Sequence, residues 1–472
     1  MMIAMILLTP FILSILIFMR KSEKFGGVCN LFYAIVLLGA SFRLYLSPDT
    51  FTHFFGTDQV NILFLLILAV LYLGVSFYNT EYIKHKKASA YSHALYAINF
   101  LLFPASMAGV ILSTHLGMLW VFVEATTLTS AYLIYFNQSG SSLEATWKYI
   151  FICSVGIALA FVGIIILSMG LGNSDSLFFD DLYKNAKLIN PFWLKLSLSF
   201  ILVGFGTKVG FAPVHAWLPD AHSESPSPVS ALLSGTLLNA ALLGVIRVSK
   251  ILKLAGLEWY VNNLLLLMGF LSLFICAVFI IRIENYKRML AYSSIENMGI
   301  IAIGLGSGEL GIFAAMLHLT AHSFIKASLF LTSGNIVHRY GTKNISEVRG
   351  LLNTDKMTGW LWILSFIAIA GMPPFPLFLS EFFIAKSLLS NGSVFYTVLF
   401  FLFLTIILAA MGRSVLRMSF GDIPFTDVQV SEQKKLSIPE YLPQLIFLLM
   451  LIIMSVLPGG FLNLLEHAAK GL

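Results

Sequence analysis

Charge is scarce in this chain of 472 residues. Asp, Glu, Lys and Arg make up 11% of it and hydrophobic residues 58%, whereas a soluble domain carries about 25% charged residues. A soluble enzyme of this length is excluded, and a multi-pass membrane protein is left. Cysteine is nearly absent. Cys29, Cys153 and Cys276 stand far apart with no CxxC, so no iron–sulfur, zinc or disulfide framework is built from them and they read as small buried apolar residues. Long polar stretches are missing too. Segments 170–192, 339–357 and 413–440 are too short for a nucleotide or flavin fold, and the last, with Pro424 and Pro439, reads as a surface loop. The net charge of +6 is no nucleic-acid signal, because the basic residues lie in short loops. Neither a cofactor nor a metal is expected in this chain.

What the chain has is apolar runs. A spanning helix needs about 20 such residues. The runs predict an all-α polytopic membrane protein with about fourteen transmembrane helices, at roughly 2–19, 27–46, 59–79, 92–112, 115–136, 147–169, 194–222, 227–249, 260–282, 288–306, 309–338, 358–389, 394–412 and 440–457. Each run is too long for a barrel strand. The seventh, eleventh and twelfth are over-long and read as broken helices. The first lacks a basic leader and a small-x-small site, so it reads as a retained span rather than a cleaved signal. No lateral helix is expected after the fourteenth. Most of the 29 Lys and Arg follow odd-numbered spans, among them Arg20, Lys21, Lys24, Lys84, Lys86, Lys87, Arg339 and Lys343. Arg247, Lys250 and Lys253 run against that trend. The bias places odd loops in the cytoplasm and both termini outside.

Within the runs sit Glu124, Lys208, Glu296, Lys326 and Glu381. A charge at mid-bilayer costs at least ~2.5–3.5 kcal/mol, so each is a functional candidate. Two spans also carry helix breakers. GFGTKVGFAP holds Gly204, Gly206, Gly210 and Pro213 around Lys208. AGMPPFPLFLSE holds Gly371, Pro373, Pro374 and Pro376 ahead of Glu381. Paired interruptions in two halves of a transporter point to its site, and bare backbone at membrane depth must line a cavity or be covered by protein. Glu124 to Lys208 is 84 residues and Glu296 to Glu381 is 85. Spans four to eight then correspond to spans nine to thirteen as two inverted five-helix repeats. The chain divides into 1–90 (three N-terminal helices), 91–250 and 251–417 (the repeats), and 418–472 (a loop and the last helix).

Glu124 and Lys208 form a pair that can switch, since a carboxylate restores the proton affinity that burial takes from a lysine. The alternative is a static ion pair that packs two helices. In LHLTAHSFIKASLF, His318, His322 and Lys326 are spaced i, i+4, i+8 and share one helix face; histidine passes protons either way near neutral pH. There is no HExxH and no third ligand, so relay or plain polar packing is expected rather than metal. Glu381 reads as the outlet. Glu296 is either a relay acid or a helix contact to Ser293 or Ser294, and Lys386 either functions or snorkels to the interface. VHAWLPDAHSESPSPVSALL, with His215, Asp220, His222 and Glu224, is a re-entrant turn feeding Lys208 or a plain loop.

GFGTKVGFAPVHAWLPDAHSESPSPVSALLSG resembles the signature of the antiporter-like membrane subunits of respiratory complex I and of Mrp-type cation/proton antiporters. KRMLAYSSIENMG, HLTAHSFIKASLFLTSG and AGMPPFPLFLSEF resemble further blocks of that family. WVFVEATTLTSAYLIYF, SLEATWKYIFICSVGIALA and SSIENMG are similar to component F of hydrogenase 4, from the group 4 nickel–iron hydrogenases. The resemblance implies a fourteen-helix fold with inverted repeats. Glu124 and Lys208 match the family's Glu–Lys pair, His318, His322 and Lys326 its relay helix, and Glu381 its terminal ionisable residue. Where the family often has Lys or His in the eighth span, this chain offers only Asn239, so water or another span must bridge that point. The expectation is a proton-translocating subunit of a hydrogenase- or complex I-like oxidoreductase in a prokaryotic cell (inner) membrane. Other membrane subunits and a peripheral redox arm, with hydrogenase-like large and small and iron–sulfur subunits, would be its partners. An Mrp-type Na+/H+ antiporter subunit without a redox partner is the alternative.

Overall fold

A computed structural model describes residues 1–86, 88–172, 176–421 and 436–472. Lys87 and the centre of the 413–440 insertion, with Pro424, lie outside the described residues. The apolar runs fold as helices. The first six are α1 (Met2–Arg20), α2 (Glu23–Leu46), α3 (Gln59–Tyr82), α4 (Ala90–Leu112), α5 (Leu116–Tyr135) and α6 (Gly140–Gly170). The short α7 (Phe179–Lys184) leads to α8 (Pro191–Val209), α9 (Leu218–Glu224), α10 (Ser227–Leu232) and α11 (Leu238–Leu254). Then come α12 (Glu258–Ile280), α13 (Tyr286–Leu305), α14 (Glu309–Tyr340), α15 (Leu351–Thr354) and α16 (Lys356–Ile369). The chain closes with α17 (Pro376–Ser390), α18 (Val394–Ser419), α19 (Leu442–Ser455) and α20 (Gly459–Lys470). A two-strand hairpin, β1 (Thr50–Thr52) and β2 (Phe55–Gly56), joins α2 to α3.

Capping residues set several starts. Asp58 accepts from the N–H groups of Val60 and Asn61 to begin α3, and Ser139, Asn285 and Asp355 do the same for α6, α13 and α16. By length and apolarity eleven helical spans qualify as membrane crossings, or twelve if the bent pair α19–α20 is one. The sequence-based count of about fourteen also includes α13, whose Lys287, Arg288 and Glu296 make it too polar for that test, and the pair α16–α17, each half of which is short.

Two of the three expected breaks are present. The seventh run splits into α8 and α9, and the twelfth into α16 and α17. The eleventh is corrected: α14 runs unbroken for 32 residues, because its polar residues form hydrogen bonds sideways and no proline interrupts it. A π-turn over Leu233–Leu237 links α10 to α11. Past α19, instead of a plain tail, α20 turns by 81° at Pro458 and buries Leu465 and Ala468.

Burial separates centre from rim. The span Ser227–Leu254 is 100% buried and that of α14 83%, against 22% for α18 and 33% for α1. Loops after alternate spans meet at one end, where Tyr286 N–H donates to Lys343 O at 3.1 Å and Lys343 pairs with Glu224. The opposite end gathers the hairpin, α7 and α20. There two of the three basic residues that oppose the charge bias have partners: Arg247 pairs with Asp58 and Lys250 donates to Gly471 O at 2.5 Å.

Candidate functional site

Lys208 lies in the last turn of α8, fully buried. The helix ends one residue later at Val209 and is capped by Gly210, whose φ of 86° is a conformation suited to glycine. The C-terminal end of a helix favours a cation, so the break itself helps hold the ammonium. Its Nζ donates to Thr127 Oγ1 and to Tyr149 OH, both at 2.7 Å. Thr127 Oγ1 in turn donates to Glu124 Oε2 at 3.3 Å, and Ser154 Oγ donates to Glu124 Oε1 at 3.4 Å. The link between the two charges is therefore indirect. Among the described residues no ion pair joins Glu124 to Lys208, and the Thr127 hydroxyl stands between them. Glu124 is half-buried at the outer face of α5.

The second group lies where α13, α14 and α17 meet. Lys326 Nζ donates to Leu290 O at 2.8 Å and to Ser293 Oγ. His318 binds Asn297 Oδ1 through Nε2 at 3.0 Å and Ser380 Oγ through Nδ1 at 2.9 Å. Those partners directly neighbour Glu296 and Glu381 in sequence, so His318 ties the two acid-bearing helices together. Glu296 and Glu381 line one cavity of about 170 Å³, walled by Phe366, Ile369 and α18. Ser293 is taken by Lys326 and Ser294 by Ser234, so neither serves Glu296 as a helix contact. Gly371, at φ 61°, sits against the Glu381 carboxylate: a Cβ there would come within 2.9 Å of Oε1.

Between the groups the relay face is discontinuous. His322 is fully buried and neither ring nitrogen has a protein partner. Asn239 follows the π-turn and donates to Gly235 O and to Ser323 Oγ at 2.9 and 2.8 Å, but its Oδ1 is unpartnered. His222 Nδ1–H donates to Leu218 O at 2.9 Å, leaving Nε2 without a partner. Buried polar groups are as a rule hydrogen-bonded to protein or to ordered water, and these four atoms belong to α9, α11 and α14.

The remaining candidates fall elsewhere. Asp220 pairs at the surface with Lys148 and Arg288, and Glu224 with Lys343. Burial pushes the Glu224 carboxyl up, but the Lys343 charge and its hydrogen bonds outweigh that and hold it below the usual carboxylate range. The two acids thus lock loops together, while His222 is fully buried. His215 packs its ring against Tyr292. Lys386 is exposed on α17, away from the cavity. Of the breakers, Gly206 accepts from Gly210 and Phe211 N–H at 2.9 Å, while Pro213, Pro373 and Pro374 lie in the two turns. Sequence reasoning missed Thr127, Tyr149, Asn297 and Ser380. Thr127 sits one turn from Glu124 on the same face, the one signal that pointed to it. Among the described residues no group of three or more His, Cys, Asp or Glu is placed to hold a metal.

Residues 113–408 match the family described as NADH:quinone oxidoreductase/Mrp antiporter, transmembrane. The chain is 32% identical over 434 residues to a hydrogenase-4 component F homolog of Methylacidiphilum infernorum, covering 89% of this chain and 90% of that one. It is 30% identical to Na(+)/H(+) antiporter subunit A1 of Staphylococcus haemolyticus, covering 76% of this chain but 44% of that longer one. A chain of the membrane-bound sulfane sulfur reductase, an archaeal respiratory membrane complex, superposes with a TM-score of 0.88 at 24% identity, covering 99% of this chain and 97% of that one. The chain belongs to the NADH:quinone oxidoreductase/Mrp antiporter transmembrane family.

Proposed function

We propose that this chain moves protons across the membrane as the antiporter-like subunit of a hydrogenase- or complex I-like oxidoreductase. The observation that carries the reading is Lys208: a fully buried ammonium held by two hydroxyls, one of which reaches Glu124. A purely structural ammonium is satisfied by its partners. This one depends on a carboxylate at one remove, so neutralising or displacing Glu124 weakens its hold on the proton. Two unit charges ~5 Å apart interact by ~3 kcal/mol at an effective dielectric of ~20. Driving a charge against 100 mV takes about 2.3 kcal/mol, so one such switch is large enough. A proton leaving Lys208 would pass by water along Asn239, His322 and His222 to Lys326, and by His318 to Glu296 and Glu381.

Both ends of that path lie at the rim, at the half-exposed Glu124 and at the cavity beside α18. A charge facing lipid is costly, so neighbouring membrane subunits are assigned to those faces and a peripheral redox arm to the basic-loop end. Redox centres, on this reading, belong to the partner chains. The fourteen-crossing count, with α13 and the pairs α16–α17 and α19–α20 each as one crossing, and the inverted repeats are part of the same proposal. So are the prokaryotic inner membrane and external termini.

The second reading is an Mrp-type Na+/H+ antiporter subunit without a redox partner; the likeness to subunit A1 favours it, and the end-to-end likeness to a component F homolog favours the first. Lys208→Ala in the native complex decides whether the path exists. Proton uptake by inside-out vesicles should disappear while the complex still assembles, and acidification at the unmodified rate would remove Lys208 from the mechanism. Uptake that requires a sodium gradient and no electron donor would favour the antiporter.

A further inference from the structure

One cluster of titratable groups stands outside the path above. At the basic-loop end, His85 follows α3 and its Nε2 lies 3.3 Å from Glu440 Oε1. Its ring is 4.3 Å from that of His338, in the last turns of α14. Glu440 is 3% exposed, and the N–H and Oγ of Ser437 donate to its Oε2 at 2.7 and 2.9 Å. His338 Nε2 is buried without a protein partner. Lys86 and Arg339 are the charges nearby.

A polar seam leads inward from this cluster. Asn335 Nδ2 donates to Glu440 O at 2.9 Å, and Tyr78 OH donates to Asn335 Oδ1 at 2.9 Å. Beside them Gly334 leaves room: a Cβ there would lie 3.1 Å from Ser227 Oγ and closer still to the Tyr78 hydroxyl. Ser227 Oγ is 3.5 Å from Ser333 Oγ, and Ser333 stands about two turns along α14 from Lys326. Gln444, which donates to Glu440 O at 2.8 Å, keeps an unpartnered Oε1, and so does Thr332 its Oγ1. Apolar packing would serve helix association without any of these groups. Hydroxyls, amides and unpartnered buried atoms in a row are instead the partners that buried water takes, and a histidine ring nitrogen can both accept and release a proton.

We propose that His85, His338 and Glu440 are a proton-collecting mouth that loads Lys326 through the Tyr78–Asn335–Ser227–Ser333 seam. This rests on the proton-translocating reading. A bulk proton adds to an imidazole nitrogen, transfers to the Glu440 carboxylate and leaves along the hydroxyls and their waters; only N–H and O–H bonds are made and broken.

The test is proton uptake by inside-out vesicles carrying the whole complex, in dilute and in concentrated imidazole buffer, at equal amounts of assembled complex. The double variant His85→Gln, His338→Gln should take up protons about tenfold more slowly in dilute buffer, a barrier of ~1.4 kcal/mol, and recover in concentrated imidazole. Tyr78→Phe, which cuts the seam below the mouth, should be slowed in both buffers. Lys326→Ala separates the two claims. If it is inactive while the histidine variant and Tyr78→Phe run at the unmodified rate, the mouth is overturned and the translocation reading stands. Loss in the histidine variant that imidazole does not restore also overturns the mouth. An unmodified rate in Lys326→Ala overturns the underlying reading.

Discussion

Thr127 shows how much one hydroxyl decides. It accepts from Lys208 and donates to Glu124, so its hydroxyl joins the two charges by hydrogen bonds. Replacing it with valine keeps the shape and removes both bonds, leaving a buried polar group short of a partner at ~1–3 kcal/mol. Thr127→Val should therefore slow proton uptake about tenfold with assembly unchanged, and Thr127→Ser should restore it. Equal rates for all three proteins would show that Glu124 and Lys208 communicate by another route. Glu124 and Lys208 were legible in the sequence because a charge inside an apolar run stands out. Thr127 was not, since threonine is unremarkable in a membrane helix.

At the scale of elements, the two broken helices use opposite ends. Lys208 sits before its break, where α8 presents carbonyls, and Glu381 after its own, in the second turn of α17. The C-terminal end of a helix carries partial negative charge, so the Lys208 cation suits its position, whereas Glu381 lies beyond the first turn of α17 and is set against Gly371 instead. Glycine made the second break legible, and the structure adds why: Gly371 provides both a left-handed turn and room for the carboxylate. Gly371→Ala should destabilise the purified protein by about 1–2 kcal/mol from the turn alone, with more from the displaced Glu381. Thermal unfolding in detergent reads this, and an unchanged midpoint would mean that the turn relaxes freely. The unbroken α14 was misread because run length alone cannot tell a broken span from one that tilts or extends beyond the bilayer.

The whole molecule sorts its loops by side. Loops after alternate spans are bonded to one another at one end, as in the Glu224–Lys343 and Asp220–Arg288 pairs, and from the excess of Lys and Arg there we predict that this end faces the cytoplasm. Because the native cysteines are all buried, single exposed cysteines report sidedness cleanly. Ser346→Cys should react with a membrane-impermeant maleimide only in inside-out vesicles, and Lys187→Cys only in right-side-out ones; the reverse pattern would invert the orientation. Composition and run length alone determined that this chain is a helical membrane protein, and the isolated charges and paired breakers marked where its chemistry lies, because the bilayer penalises every such residue that serves no purpose. Tertiary structure decided what those residues touch. The hydroxyl between Lys208 and Glu124, the cavity shared by Glu296 and Glu381, and the meeting of His85, His338 and Glu440 join residues from distant spans, and their contacts depend on helix rotation and packing, which hydropathy does not encode.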